Sequence, residues 1–285
     1  MRTAIVRAAM TVVLAGLSAV APAQTFKSRV DTVRLDALVL DGNQPVLGLT
    51  AEDFEVRDDG AVQNVTLLAA GSLPLDVILT LDMSGSLAAG RLDALRAAAD
   101  SLLGALHAHD RAAITTFSDA IHRLQPLTHD VDALRRALQH AVPSGGTRLS
   151  DAVFASVGMV TPGDRRSLLI VFSDGLDTSS WLQPAAVIRA AERAEVVIYA
   201  VSAARVGKRG ILREFTDRTG GKLLEVDSSA LTTAFMTVLN EFRQRYVLSY
   251  TLPTTPSPGW HDIDIRVKGR RATVRTRSGY RVERR

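Results

Sequence analysis

Residues 75–86 read Leu-Asp-Val-Ile-Leu-Thr-Leu-Asp-Met-Ser-Gly-Ser. Residues 77–81 form an almost continuous apolar run, the pattern of a strand covered on both faces, and it stops at Asp82-Met83-Ser84-Gly85-Ser86. A helix follows, with Leu92, Leu95, Ala99, Leu102 and Leu106 at helical spacing. The unit then recurs. Residues 112–117 read as a strand and 130–141 as a helix with Asp130 placed to cap it. Residues 149–160 read as a helix, and 167–172 and 196–201 as apolar strands, each followed by a helix (184–194 and 210–219). Residues 231–244 close the series. Strands alternating with helices predict an α/β fold with a doubly wound, mostly parallel sheet. Ligands of such sheets bind beyond the carboxyl ends of the strands.

The flanks are written differently. Val33, Leu35, Ala37 and Val39 alternate with Arg34, Asp36 and two leucines, the period of a strand with one face well buried. Asp41-Gly42-Asn43 and Asp58-Asp59-Gly60 are turn signals. Between them, residues 48–54 predict a short helical turn capped by Thr50. Strand signals return at 246–251. After a Pro-rich loop, Ile263, Ile265 and Val267 alternate with charged residues, and 273–276 follows a basic turn. Neither flank is large enough to hold a core alone. The expected organisation is therefore a central α/β domain over 73–245, with residues 24–72 and 246–285 pairing into a small β-sandwich.

Composition narrows the classes. Of 285 residues, 46% are hydrophobic and 22% charged, which is ordinary for a globular protein. Lys and Arg total 34 against 30 carboxylates, and aromatics are 5%, so a basic face interleaved with stacking rings, as nucleic acid would need, is not expected. There is no cysteine, which excludes disulfides, thiol catalysis and Cys-based zinc sites. Arg2 and Arg7 precede a short apolar run ending in Ala21-Pro22-Ala23. A basic start, an apolar middle and an A-x-A site predict a signal peptide over 1–23, hence export to the periplasm, the cell surface or the medium, with no membrane span after cleavage; an uncleaved anchor is the rival reading of the same residues.

The chemistry is expected at the strand ends. Asp82, Ser84 and Ser86 offer a carboxylate and two hydroxyls where a strand opens into a loop, and Gly85 lets the backbone turn so that both hydroxyls face one point. Oxygen ligands of this kind suit a hard cation such as Mg²⁺. Ser144-Gly145-Gly146-Thr147 precedes a helix and offers a third hydroxyl, and Asp174 follows another apolar strand and offers a second carboxylate. Helix or loop capping explains each segment taken singly, but not their coincidence at one rim.

This set resembles the metal-ion-dependent adhesion site of von Willebrand factor A-type domains, which combines D-x-S-x-S, a threonine loop and an aspartate loop. The resemblance implies Mg²⁺ or Mn²⁺ contacted by Ser84, Ser86 and Thr147, with Asp82 and Asp174 holding it directly or through water. Asp151 and Asp177 extend the match as loop-organising carboxylates. The flanks, through 48–54 with Asp59-Gly60, 246–250 and Arg277-Ser278-Gly279-Tyr280, are similar to exported bacterial "VWFA-related" domains. Two carboxylates against a divalent cation leave little residual charge, and hydroxyl or water ligands leave exchangeable positions that a partner's Glu or Asp can fill. The resemblance also implies that such a carboxylate can shift the C-terminal helix, here 231–244.

Two rival readings stand beside a protein-binding module. A hydrolase would pair Ser84 or Ser86 with one of six histidines, or use the cation for hydrolysis. Ser84 lacks the G-x-S-x-G elbow, and no histidine sits in a strand-end loop with an orienting acid, so an enzyme is not expected. A structural envelope protein with a vestigial site is the other. Trp181, soon after Asp177, edges the rim or packs, with packing preferred; Trp260 and Tyr250 are expected in the sandwich core, and 268–271 in an exposed basic turn.

Overall fold

The computed structural model describes residues 32–70, 73–85, 89–161, 163–203, 210–253 and 256–283. The expected signal peptide and Ser86 lie outside them. In chain order the first flank contributes β1 (Thr32–Asp41), β2 (Gln44–Pro45), β3 (Phe54–Asp58), β4 (Ala61–Gln63) and β5 (Thr66–Ala70). The centre contributes β6 (Leu75–Asp82), α1 (Ala89–Gly104), β7 (Arg111–Phe117), β8 (Ile121–Thr128), α2 (Val131–Gln139) and α3 (Leu149–Val157). It continues with β9 (Arg166–Phe172), α4 (Pro184–Ala194), β10 (Val197–Ser202), α5 (Ile211–Thr219), β11 (Leu223–Glu225) and α6 (Leu231–Arg243). The second flank adds β12 (Tyr246–Thr251), β13 (Gly259–Val267), β14 (Thr273–Arg275) and β15 (Gly279–Val282).

The central sheet has the order β11-β10-β9-β6-β7-β8 and is parallel except for β8, which runs antiparallel to β7 at the edge. Every residue of β6 and of β9 is buried. Their side chains alternate between two cores. Val77, Leu79 and Leu81 pack with Leu95, Leu102, Leu134, Phe235 and Val238 on the side of α1, α2 and α6. Ile78 packs with Val153, Val187 and Phe215 on the side of α3, α4 and α5. The chain leaves β6 toward β7 on one side and returns to β9 on the other, so the switch point of the sheet lies between the carboxyl ends of β6 and β9.

Strand β8 is the main departure from the sequence expectation, which passed from 112–117 directly to a helix. Its residues are intermediate or exposed, and it holds His122, Arg123, Gln125 and Pro126. An edge strand tolerates proline and polar residues because one side of its ladder faces outward. Helix α2 begins as expected, with Asp130 Oδ1 accepting from Ala133 N at 2.8 Å. The turn at 51–53 is capped as expected by Thr50, whose N and Oγ1 donate to Asp53 Oδ2 at 2.7 and 2.9 Å.

The flanks form two antiparallel sheets, β14-β1-β12-β5 with β2 joined to β1, and β15-β13-β3-β4. Val33, Leu35 and Ala37 lie opposite Tyr250, Leu248 and Tyr246, so first and last segments share one ladder. Their inner faces meet in one core containing Leu35, Phe54, Val56, Leu248, Tyr250 and Ile265. Trp260, expected in this core, instead lies partly exposed outside it, beneath the Arg218 guanidinium of α5, 4.9 Å from its ring. The basic turn at 268–271 is exposed. Buried arginines join the sandwich to the central sheet: Arg166 reaches Asp36 Oδ1 at 2.6 Å and Phe242 O at 2.8 Å, and Arg245 reaches Asp36 O, Tyr199 Oη and Gly220 O. No helix among the described residues is long and apolar enough to cross a membrane.

Candidate metal centre

Asp82 ends β6 at the switch point and is only 3% exposed. Its two oxygens are oriented from opposite sides: Oδ1 accepts Ser84 N at 2.8 Å, and Oδ2 accepts Ser173 Oγ at 2.6 Å. Ser84 is buried as well. The threonine loop is laced onto this turn through its backbone, since Ser144 N donates to Met83 O at 2.7 Å and Gly85 N to Gly145 O at 3.0 Å. Gly145 has φ +61, and a Cβ there would collide with the Asp119 carboxylate, whose Oδ1 accepts Gly146 N at 2.6 Å. The loop then delivers Thr147, buried, to the start of α3.

The aspartate loop closes the set. Asp174 follows β9 and is partly exposed; its Oδ1 accepts Leu176 N at 3.1 Å, while Ser173 Oγ accepts Gly175 N at 3.1 Å. Thr147 O accepts from Thr178 N and Ser179 N, and Thr147 N donates to Thr178 Oγ1, so the second and third loops are also tied together. The structure thus brings Asp82, Ser84, Thr147 and Asp174 to one rim.

Electrostatics distinguish the carboxylates here. Burial, reinforced by the negative charge of Asp174, pushes Asp82 above the ordinary carboxylate range against the pull of the Ser173 and Ser84 hydrogen bonds. Among the described residues Asp82 has no Lys or Arg partner. Asp177 goes the other way: burial raises it, but donors from Ser150 and Ser180 outweigh that and hold it below the usual value. It accepts Ser150 N and Oγ at 2.9 and 2.7 Å, and Asp151 accepts Trp181 N and Leu182 N. Both carboxylates stitch the loop at 177–182 to α3. An all-oxygen donor set with an unneutralised buried carboxylate fits a hard divalent cation.

Sequence reasoning missed three participants. Ser173 was visible only as the residue before Asp174, and Asp119 and Ser118 as part of the loop after β7; Ser118 Oγ lies 3.3 Å from Ser144 Oγ. Trp181, for which packing was preferred, is 83% exposed, with the Arg148 guanidinium 5.5 Å from its ring centre. Leu176 is exposed on the aspartate loop. Beside Met83 opens a cavity of about 330 Å³ lined by Ser118, His122, His140, Val142 and Ser144 among others.

No curated protein matches this chain. Among solved structures, a von Willebrand factor type A protein from Catenulispora acidiphila is similar over 83% of this chain and 74% of its own, at 15% identity and a TM-score of 0.52. An aerotolerance-related membrane protein from Bacteroides fragilis is similar over 59% of this chain and 98% of its own, at 16% identity and a TM-score of 0.50. The vWF domain of the type V pili tip protein Mfa5 from Porphyromonas gingivalis is similar over 59% and 94%, at 14% identity and a TM-score of 0.50. These likenesses are of fold. Residues 77–178, from within β6 to the loop beyond Asp174, match the family model described as the von Willebrand factor type A domain, and the chain carries such a domain.

Proposed function

We propose that this protein is a metal-dependent protein-binding module, whose Asp82, Ser84, Ser86, Thr147 and Asp174 hold Mg²⁺ or Mn²⁺ for capture of a partner's Glu or Asp side chain. The observation that carries this reading is Asp82, a buried carboxylate held above its ordinary pKa beside Asp174, with hydroxyl-bearing loops laced around it. A divalent cation at that point offsets both charges, and its hydroxyl and water ligands leave a position for an anionic oxygen. Export, to the periplasm or the cell surface, is part of the same proposal and rests on the pattern at residues 1–23.

The test is calorimetric titration of the full chain with Mg²⁺ and with Mn²⁺, beside Asp82→Ala and Thr147→Ala variants whose folding is checked by circular dichroism. Saturable binding by the wild type, absent in both variants, is the expected result. Equal binding by wild type and folded variants, or none by any of them, would remove the metal from the proposal and return the chain to a structural role.

A further inference from the structure

The flank motifs converge on a site the metal loops do not use. Asp58, from the Asp-Asp-Gly turn, is buried at the end of β3, and its Oδ2 accepts Tyr250 Oη of β12 at 2.7 Å and Tyr280 Oη of β15 at 2.6 Å. Burial pushes both phenols well above their ordinary pKa, so they act here as donors. His261 of β13 lies in the middle. Its Nδ1 is 3.0 Å from Asp58 Oδ1 and 3.1 Å from Asp59 Oδ2, and its Nε2 is 2.7 Å from Ser257 O. Its ring stacks on Tyr280, centroids 5.0 Å apart and planes at 19°.

Among the described residues, the atoms within hydrogen-bond distance of the two ring nitrogens, Asp58 Oδ1, Asp59 Oδ2 and Ser257 O, are all acceptors. A neutral imidazole has one N–H and one lone pair, so it satisfies one side and turns the lone pair against oxygen on the other. The imidazolium satisfies both. The surrounding charges favour it: Asp58 and Asp59 at the turn and Asp262 next along β13. Of the guanidiniums in this region, Arg277 lies 5.8 Å from the Tyr280 ring, Arg218 of α5 lies 4.9 Å from the Trp260 ring, and Arg281 of β15 stands opposite Trp260 in the ladder. Asp59 is anchored in turn, its Oδ1 accepting Asp262 N at 2.9 Å.

We propose that His261 is a proton-operated latch of the small sandwich. Doubly protonated, it ties β13 to the β3–β4 turn, to Ser257 and to the strand carrying Tyr280, and loss of one proton loosens that junction. Burial lowers the affinity of His261 for its proton, but the Ser257 carbonyl and the two carboxylates outweigh it and hold the group above the ordinary histidine value. The linkage has a definite sign. A raised folded-state pKa contributes stability that is complete below the unfolded value of about 6.5 and is lost as pH rises through the folded value.

The same three side chains also bring Nδ1 and two carboxylate oxygens within reach of one metal ion, so the experiment separates proton from metal. Imidazole proton resonances of the full, chelator-treated chain are followed against pH in the wild type, with His261→Gln to assign the signal and Asp59→Asn as a second variant at an exposed position. Urea unfolding is measured across the same range. The expected result is a His261 midpoint above about 6.5, with the folded-to-unfolded ratio falling about tenfold for each unit of that elevation. Asp59→Asn lowers the midpoint and shrinks the fall in proportion, which keeps the test open if His261→Gln fails to fold. A midpoint at or below the ordinary value, or one indifferent to Asp59→Asn, would overturn the latch. So would Zn²⁺ restoring at alkaline pH the stability that deprotonation removes, which would make the cluster a metal site.

Discussion

The two ends of β6 carry the same residue in opposite circumstances. Asp76, near the amino end, is fully buried and receives Arg111 at 2.6 Å and Arg165 at 2.5 Å. Burial pushes its pKa up, but the two guanidiniums overcome that and hold it below the ordinary range. Asp82, six residues on, is buried too, but its partners among the described residues are Ser84 and Ser173 and no guanidinium, and it is held above that range. A buried charge that serves the fold is normally neutralised within the fold. At the carboxyl end of the sheet, where ligands of such folds bind, Asp82 is a buried carboxylate with no Lys or Arg partner among the described residues. That contrast, more than the motif spelling, is what supports the proposed site.

The amino end is where the comparison breaks most visibly. Asp76→Asn leaves Arg111 and Arg165 facing a neutral amide, and is expected to lose about 3 kcal/mol at neutral pH, the low end of the range for a broken buried pair. Both guanidiniums remain about a quarter exposed, at 26% and 23%, which moderates the loss. The pH dependence follows from the lowered pKa. The stability Asp76 contributes is present above its unfolded value of about 3.9 and is lost as pH falls through the folded value. Urea unfolding at stepped pH therefore shows wild type and Asp76→Asn converging as acid is added. A gap that stays constant down to the lowest pH at which the protein folds would mean that the pair is not what holds this end.

The other end is expected to respond in the opposite sense. In cation-free buffer, Asp82→Asn removes a charge that the fold keeps at a disadvantage while leaving a side chain of the same shape between Ser84 N and Ser173 Oγ. A gain of about 1 kcal/mol is expected, on the scale of one hydrogen bond. Mg²⁺ then raises the melting temperature of the wild type and leaves Asp82→Asn unmoved, because only the wild type binds the added ion. A loss of stability in cation-free Asp82→Asn would show that Asp82 is neutralised from within, like Asp76, and would dissolve the comparison.

How much of this could be read from the chain depended on distance along it. Strands β6, β7, β9 and β10 announce themselves because a strand covered on both faces carries a near-continuous run of small or apolar residues, and the helices between them by their spacing. β8 was missed because an edge strand with His122, Arg123, Gln125 and Pro126 obeys neither rule, and β11 is only three residues long. The loops with Asp82, Thr147 and Asp174 were legible because each is a local pattern of carboxylate, hydroxyl and glycine. Ser173 was not, since its part depends on meeting Asp82 across 91 positions. Asp119 was hidden for the same reason, its carboxylate fitting a glycine pair further along the chain. Trp260 was placed in a core by its size alone, and its position beneath Arg218 depends on how α5 meets the sandwich.

Trp181 gives the smallest effect and tests what the carboxyl end is for. A large ring is expected to pack, yet this one stands 83% exposed on a loop fastened to α3 through Asp151 and Asp177. The Arg148 guanidinium lies 5.5 Å from its ring centre, a contact worth about 0.5 kcal/mol at an exposed position. Trp181→Ala is therefore expected to cost the isolated protein about that much and to leave the Mg²⁺ titration unchanged. A loss of about 3 kcal/mol, as for a core aromatic, would mean that the ring packs after all. The expected indifference would separate the two poles of the sheet again: at the Asp76 pole side chains are held by partners within the fold, and at the Asp82 pole the fold keeps a large ring in water and a buried carboxylate without a guanidinium among the described residues.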